Sequence, residues 1–455
     1  MGKHLITWSV SQRICKAASW MSPRLASRHT SEACYNQSLP GMLESTKRCR
    51  YYTTQAQPEN LLLKHLKARI KSNGPMPVAD YMKEVLTNAY SGYYMHKDVF
   101  GKDGDFITSP EVSQMFGEML GVWVVNEWMN NYNGQTLQLV ELGPGRGTLA
   151  DDMLRVFCQF PSIKDKISLH LVEVSPALGQ MQASKLTGKD TSEVEEGDSD
   201  CVGAYRNATS KYGIDVSWYR SLADVPQGLS CFIAHEFLDA LPIHKFQKTE
   251  AGWREVLVDE DPGNPDALRF VLAHGKTPAS VALLQVESEE QRNHIEVCPS
   301  AGLTVQEICQ RIQSDGGMAL LADYGHSGEK GDTFRAFKRH KLHEDPLSEP
   351  GSADLTADVD FSYLKSFTNA DVDVFGPVTQ EKYLINMGIG VRLQALLQKS
   401  SQEHWPSLIS GFKMLTSPDQ MGERFKFMSI LGKTGSSYKP AGFVELNYGD
   451  GQGSS

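Results

Sequence analysis

Glu141, Gly143, Gly145 and Gly147 stand in the run VELGPGRGTLADDMLRVF, residues 140–157, with the spacing E-x-G-x-G-x-G. Glycine lacks a Cβ, so a turn built on it reaches dihedrals closed to other residues and lets a ligand lie against the backbone. The residues on either side fix its setting. Residues 137–140 alternate apolar and polar, while Leu149, Met153, Leu154 and Phe157 recur at helical spacing; the pattern is strand, turn, helix. The first N–H groups of that helix point at whatever occupies the turn. The dinucleotide register G-x-G-x-x-G/A wants a small apolar residue at 148, where Thr148 stands. Glu141, at the strand's end, repels a pyrophosphate but suits a ligand carrying an ammonium and a sulfonium. That ligand is S-adenosyl-L-methionine. A second strand over 167–173 ends in Glu173, placed to accept both hydroxyls of a ribose. The bland alternative for Glu173 is a solvated charge at a strand end.

A further acidic pair follows the strand at 230–234, in the order Ala234-His235-Glu236-Phe237-Leu238-Asp239. In a doubly wound sheet the carboxyl ends of the strands form the ligand crevice, so Glu236 and Asp239 are the candidate catalytic residues beside the transferable methyl. If the acceptor is an arginine, its guanidinium is charged at any physiological pH and cannot simply be deprotonated. Carboxylates accepting two of its N–H bonds hold the plane and draw positive charge to one side, leaving the opposite nitrogen the better nucleophile. The alternative is an Asp capping the next helix and a solvated Glu. A second polar block runs from Asp323-Tyr324-Gly325-His326 through a long loop to residues 354–361, with a basic run at 335–341. A loop of that length is uncommon unless functional or disordered; the basic run alone reads as a solvated face.

The elements that position these residues read as helices and strands in alternation. Residues 60–90 are helical in pattern, broken at Gly74-Pro75-Met76-Pro77. A polar, glycine-rich loop at 100–108 lies where it can cover the cofactor. Ser109 as N-cap and Pro110 at N1 start a helix that buries Met115, Phe116, Met119, Leu120 and Trp123. Further parallel strands fall at 216–219, 230–234 and 318–324, as a doubly wound sheet requires. Residues 185–213 are polar and apolar-poor, an exposed insertion. Residues 244–273 read as a β-meander that interrupts the helix–strand rhythm and shapes a substrate cleft or partner surface.

Composition narrows the class. The 455 residues carry a formal net charge of -10, against the basic balance of nucleic-acid binders, and no run approaches the roughly 18 apolar residues of a membrane helix. The first fifty residues are the exception, with Lys3, Arg13, Lys16, Arg24, Arg28, Lys47, Arg48 and Arg50 against only Glu32 and Glu44. That is transit-peptide composition and implies the mitochondrial matrix. The 8 cysteines form no C-x-x-C pair and the 13 histidines are scattered, so reduced thiols and no metal site are expected.

Taken together, the blocks GDFITSPEVSQMFGEMLG, LVELGPGRGTLADDMLRVF, LHLVEVSP, HEFLDALPIHKFQ, LADYGH, DLTADVDFSYL, FGPVTQEKYLINMGI and MGERFKF resemble the MidA family of mitochondrial complex I assembly-factor arginine methyltransferases. The resemblance spans residues 60–430. It implies an α/β class I, seven-strand, Rossmann-like S-adenosylmethionine methyltransferase with an N-terminal helical region and an inserted β-meander. It also implies symmetric dimethylation of an arginine in a core iron–sulfur subunit of respiratory complex I, and it carries the cofactor positions onto Glu141, Gly143, Gly145, Gly147 and Glu173. The paired-glutamate hairpin of other arginine methyltransferases is not recognisable, so Glu236 and Asp239 are nominated from position alone. The expected layout is a transit peptide at 1–52, a helical region with the covering loop at 53–133, the methyltransferase domain at 134–243 and 301–435, the inserted region at 244–300 and a tail at 436–455. Two rival functions remain: an assembly chaperone with a vestigial cofactor pocket, and a nicotinamide-dependent oxidoreductase.

Overall fold

The computed structural model describes residues 60–95, 107–189, 203–284, 290–433 and 437–444. The transit segment, residues 100–106 of the covering loop and residues 190–202 of the acidic insertion lie outside these. Helices Leu61–Asn73 and Val78–Thr87 flank the two-residue strand β1 (Met76–Pro77). Helices Ser109–Val112 and Gln114–Asn131 then lead into β2 (Leu137–Leu142), helix Thr148–Phe157, β3 (Ile167–Val172) and helix Pro176–Thr187. Next come β4 (Arg206–Thr209), β5 (Asp215–Tyr219) and β6 (Ser230–His235). An inserted set follows, β7 (His244–Thr249), β8 (Gly252–Glu260), β9 (Leu268–Leu272) and β10 (His294–Val297), before helix Pro299–Asp315 returns the chain to β11 (Gly317–His326). Short strands β12 (Arg335–Lys338), β13 (Lys341–His343), β14 (Asp354–Thr356) and β15 (Val359–Asp360) precede β16 (Val372–Thr379) and the last strand, β17 (Phe425–Gly432).

The main sheet runs β16-β17-β11-β6-β2-β3-β5-β4, with β15 added beside β11. The five strands from β11 to β5 are parallel; β17 and β4 run against them, and β16, antiparallel to β17, runs in their direction again. This is the seven-strand methyltransferase sheet with β4 as an extra edge. Strand alternation sends residues to opposite faces: Leu137, Leu139, Leu169 and Leu171 join the core of helices Gln114–Asn131 and Thr148–Phe157. Val140, Leu142 and Val172 join that of helix Pro299–Asp315. A third core packs the N-terminal helices, through Leu62, Leu66, Tyr81 and Met82, onto Val256, Val258 and Leu268 of the inserted sheet and onto Ala336, Leu347 and Leu355. Among the described residues no helix is long and apolar enough to cross a membrane, and no group of metal-ligating side chains is gathered.

Four sequence expectations are corrected. Lys185 to Thr187 finish a helix and Arg206–Thr209 form the edge strand β4, paired with β5, so the insertion is narrower than 185–213. The long loop after residue 326 is organised by a small three-stranded sheet, β13-β12-β14, because Ala336, Leu347 and Leu355 have an apolar surface to bury on the N-terminal helices. Thr108, not Ser109, is the N-cap: its backbone is extended and its carbonyl accepts from the Val112 N–H at 3.0 Å, which leaves the Ser109 N–H, in the first turn, to donate to the Glu236 carboxylate at 3.0 Å. The helix expected to run on from Pro110 breaks at Ser113, whose side chain caps the longer helix by accepting from the Met115 N–H at 3.2 Å.

Candidate functional site

β2 lies between β6 and β3, and the chain leaves it first toward β3 and β5, then returns on the other side to β6 and β11. Adjacent connections that diverge in this way open a crevice at the carboxyl ends of the strands. Gly143, Gly145 and Gly147 adopt φ of 63°, 53° and 74°, the left-handed region that glycine enters without penalty. At Gly143 a Cβ would also meet Phe237 Cδ2 at 2.7 Å. Gly147 plays a different part from the other two: it is the N-cap of helix Thr148–Phe157 and lines neither cavity of the crevice.

Those two cavities share Thr108, Gly143, Gly145 and Glu236, and so form one continuous cleft. The smaller, of about 40 Å³, is walled by Glu141, Arg146 and His235. The larger, of about 290 Å³, is lined by Val172, Glu173, Leu178, Phe237, Asp239 and Leu241, among others. Glu141 is buried and its Oε2 has no hydrogen-bond partner; burial pushes its carboxyl up to about 8. Glu173 is also buried, which pushes it up to about 7 although it accepts from Ser175 N–H at 2.8 Å and Gln182 Nε2 at 3.0 Å. Gln182 also donates to the Gly145 carbonyl at 2.7 Å and accepts from Trp218 Nε1 at 3.0 Å. One side chain thereby ties the glycine turn to the acid at the end of β3.

The carboxyl end of β6 is built differently. Glu236 sits at φ 48°, uncommon for a residue with a side chain, and its backbone N–H donates to the Ala322 carbonyl at 3.0 Å. Its Oε1 accepts from Ser109 N–H, with His235 Nε2 at 3.2 Å, while its Oε2 is buried without a partner. The His235 ring packs between Phe116 and Phe425. Asp239 is buried in the larger cavity and accepts from Thr356 Oγ1 at 3.0 Å; burial first, then the charge of Glu236, pushes it up to about 7. The bland reading of this pair is overturned on both counts. The Glu236 side chain is only 6% exposed rather than solvated, and Asp239 caps no helix, because the chain turns directly into β7.

The sequence reading missed Gln182, Ser109, His235 and Asp323. Asp323, fully buried within β11, accepts through Oδ2 from the N–H groups of Phe237, Leu238 and Asp239 at 3.2, 2.9 and 3.3 Å. Burial, with the charges of Asp239 and Glu236, pushes its carboxyl above the usual range, and the backbone N–H groups pull it back. No local pattern marks Gln182, Ser109 or Asp323, since each matters through a partner distant in sequence, and the ring of His235 is placed by Phe116 and Phe425, far from it along the chain.

The family model described as an S-adenosyl-L-methionine-dependent methyltransferase matches residues 119–378. The mitochondrial protein arginine methyltransferase NDUFAF7 of Xenopus tropicalis is 55% identical over 375 residues, 82% of this chain and 86% of the relative. The chain belongs to this methyltransferase family. The human NDUFAF7 protein is 52% identical over 394 residues, 84% of this chain and 87% of its own. A crystal structure from Burkholderia thailandensis with S-adenosyl-homocysteine bound superposes with a TM-score of 0.67 at 25% identity, covering 85% of this chain and 93% of that one. These findings set the nicotinamide reading aside: the methyltransferase uses S-adenosyl-L-methionine. Its cleft fits that group. Glu141 Oε2, buried and without a hydrogen-bond partner, suits a cation, and the turn at Gly143 and Gly145 leaves backbone bare along both cavities.

Proposed function

We propose that the enzyme methylates an arginine guanidinium of a protein, in the manner the relatives' names describe. The proposed target is a core iron–sulfur subunit of respiratory complex I, dimethylated symmetrically in the mitochondrial matrix in support of that complex's assembly. The observation that carries the acceptor's chemistry is Glu236: its buried, unpartnered Oε2 stands in the wall common to both cavities. A buried acceptor of this kind costs about 1–3 kcal/mol until a donor arrives, and a guanidinium brings several. The symmetric outcome and the complex I target rest on the resemblance to the MidA family and on the transit-like first fifty residues.

S-adenosyl-L-methionine supplies an electrophilic methyl carbon on a sulfonium whose positive charge disappears on transfer. Glu141 would receive the ammonium of its amino-acid end, Gly143 and Gly145 would let that end lie against backbone, and Glu173 would take the ribose hydroxyls. Gly147 orients the helix N-terminus behind them. Glu236, with Asp239 deeper in the larger cavity, accepts guanidinium N–H bonds and draws positive charge toward itself, so that the nitrogen facing the methyl is the richer in electrons. The methylated guanidinium then gives up one proton, to the Glu236 carboxylate or to water. With little covalent work to do, the acceleration comes from alignment, which supplies on the order of 7–11 kcal/mol.

The deciding experiment incubates enzyme, isotopically labelled S-adenosyl-L-methionine and the iron–sulfur subunit, and reads arginine by mass spectrometry. Labelled, symmetrically dimethylated arginine is the expected result. A subunit that is bound tightly but never labelled, by enzyme that binds cofactor normally, would return the function to a chaperone.

A further inference from the structure

We infer that Asp323 is a positioning residue for methyl transfer, acting through Glu236; this rests on the reading of Glu236 as the guanidinium acceptor. The carboxylate gathers three successive backbone N–H groups on Oδ2, those of Phe237, Leu238 and Asp239, and a fourth, from Tyr324 at 2.9 Å, on Oδ1. Successive N–H groups converging on one oxygen form a concave anion nest. Here the anion comes from the protein itself, one strand over on β11. The nest begins at the residue after Glu236, whose left-handed φ of 48° a non-glycine residue holds only where its surroundings over-determine it. Two fixings supply that: the Glu236 N–H bond to Ala322 on one side and the Asp323 nest on the other. The same turn seats the Phe237 ring where a Cβ on Gly143 would be. Asp323 lines neither cavity, so it touches neither reactant; what it fixes is the direction in which Glu236 enters the cleft.

Asn at 323 cannot reproduce this arrangement. If its oxygen faces the three N–H groups, its amide NH₂ is set against the Tyr324 N–H; turned over, it meets three donors with two more. Asp323→Asn is therefore expected to slow single-turnover methyl transfer by roughly 10- to 100-fold, the order expected of a misplaced reacting group, with cofactor affinity held within about twofold. A purely structural residue would lower transfer and cofactor binding together. The discriminating test is a double-mutant cycle with Glu236→Gln, measured as transfer rate on folded protein. If Asp323 acts through Glu236, adding Asp323→Asn to Glu236→Gln costs almost nothing further. Additive losses, or an unchanged rate in Asp323→Asn, would overturn the inference while leaving Glu236 as acceptor. An unchanged rate in Glu236→Gln alone would instead sink the acceptor reading, and this inference with it. Should Asp323→Asn fail to purify folded, Asp323→Ser, smaller and still an acceptor, takes its place in the same cycle.

Discussion

Two neighbouring strand ends, those of β2 and β6, meet the same cleft with opposite means. At β2 the chain turns on glycines and enters a helix at once, so this strand end faces the cleft mainly with bare backbone and with one carboxylate, Glu141. At β6 no helix follows: the chain makes a tight acidic turn and passes into β7, and its crossover helix, Pro299–Asp315, comes only after the whole inserted sheet. That turn is held by hydrogen bonds from elsewhere, to Ala322, Ser109, Thr356 and Asp323. A backbone site demands residue absence, the missing Cβ, whereas a carboxylate site demands support. The first can be damaged by adding atoms and the second by removing a charge.

The contrast can be broken at either end. Gly145→Val places a branched side chain at φ 53°, in the backbone's ligand-facing turn. Cofactor affinity should fall by at least about 100-fold, ~2.7 kcal/mol, with circular dichroism unchanged; calorimetry showing wild-type affinity would remove the glycine turn from the site. Glu236→Gln keeps size and removes charge. Loss of a charge-assisted bond of about 1.5–3 kcal/mol slows transfer roughly 10- to 150-fold, while cofactor titration should barely shift; a large loss of cofactor affinity would reassign Glu236 to the other half of the cleft.

Protonation sharpens the comparison. Because burial lifts Glu141 to about 8, the free protein holds a proton there that a bound cation must displace. Cofactor affinity should therefore rise as the pH goes from about 6 to about 8, by up to a factor of ten per unit, and then level off. Glu141→Gln should flatten that profile, and a variant that keeps the wild-type slope would show another group to be responsible. Glu127 supplies the control, away from both turns. It accepts from the Ala441 N–H and Tyr438 hydroxyl, and burial pushes it from 4.5 to about 7. Its folded form binds the proton more tightly than the unfolded chain, so its contribution to stability is complete below about pH 4.5 and is lost as the pH rises through about 7. In Glu127→Gln, melting temperatures followed across that window should vary less than in wild type, with cofactor affinity unmoved.

The fold was largely legible because its signals are local. Alternation at 137–140 and 167–173 and the unbroken apolar run at 318–322 mark buried strands whichever partners they take, and the acids at 141 and 173 stand out because polar residues close apolar runs. Where the sequence misled, the deciding contact was distant. β12 to β14 carry few apolar residues, and their burial depends on helices some 250 residues earlier, such as the partners of Ala336 and Leu355 around Leu62 and Tyr81. The polar edge strand β4 is a strand only because β5 offers it hydrogen bonds. Asp323 reads as one more acid after a strand; its meaning lies in three amides that belong to the neighbouring strand's turn.

The core shared by the N-terminal helices and residues 243–357 orders events in time. Leu66, Ile70, Tyr81 and Met82 are among the first apolar residues of this region to be synthesised, yet Val256, Leu268, Leu347 and Leu355, against which they close, are made far later. The apolar stripe of these helices therefore stays uncovered through most of translation, and again through any passage of the unfolded chain across a membrane with its N-terminus leading. Helices that form early but are buried late are natural ports for holding chaperones, and Leu86, Tyr94 and Ala240 of this core also line the larger cavity, so that wall of the cleft is completed only when the core closes.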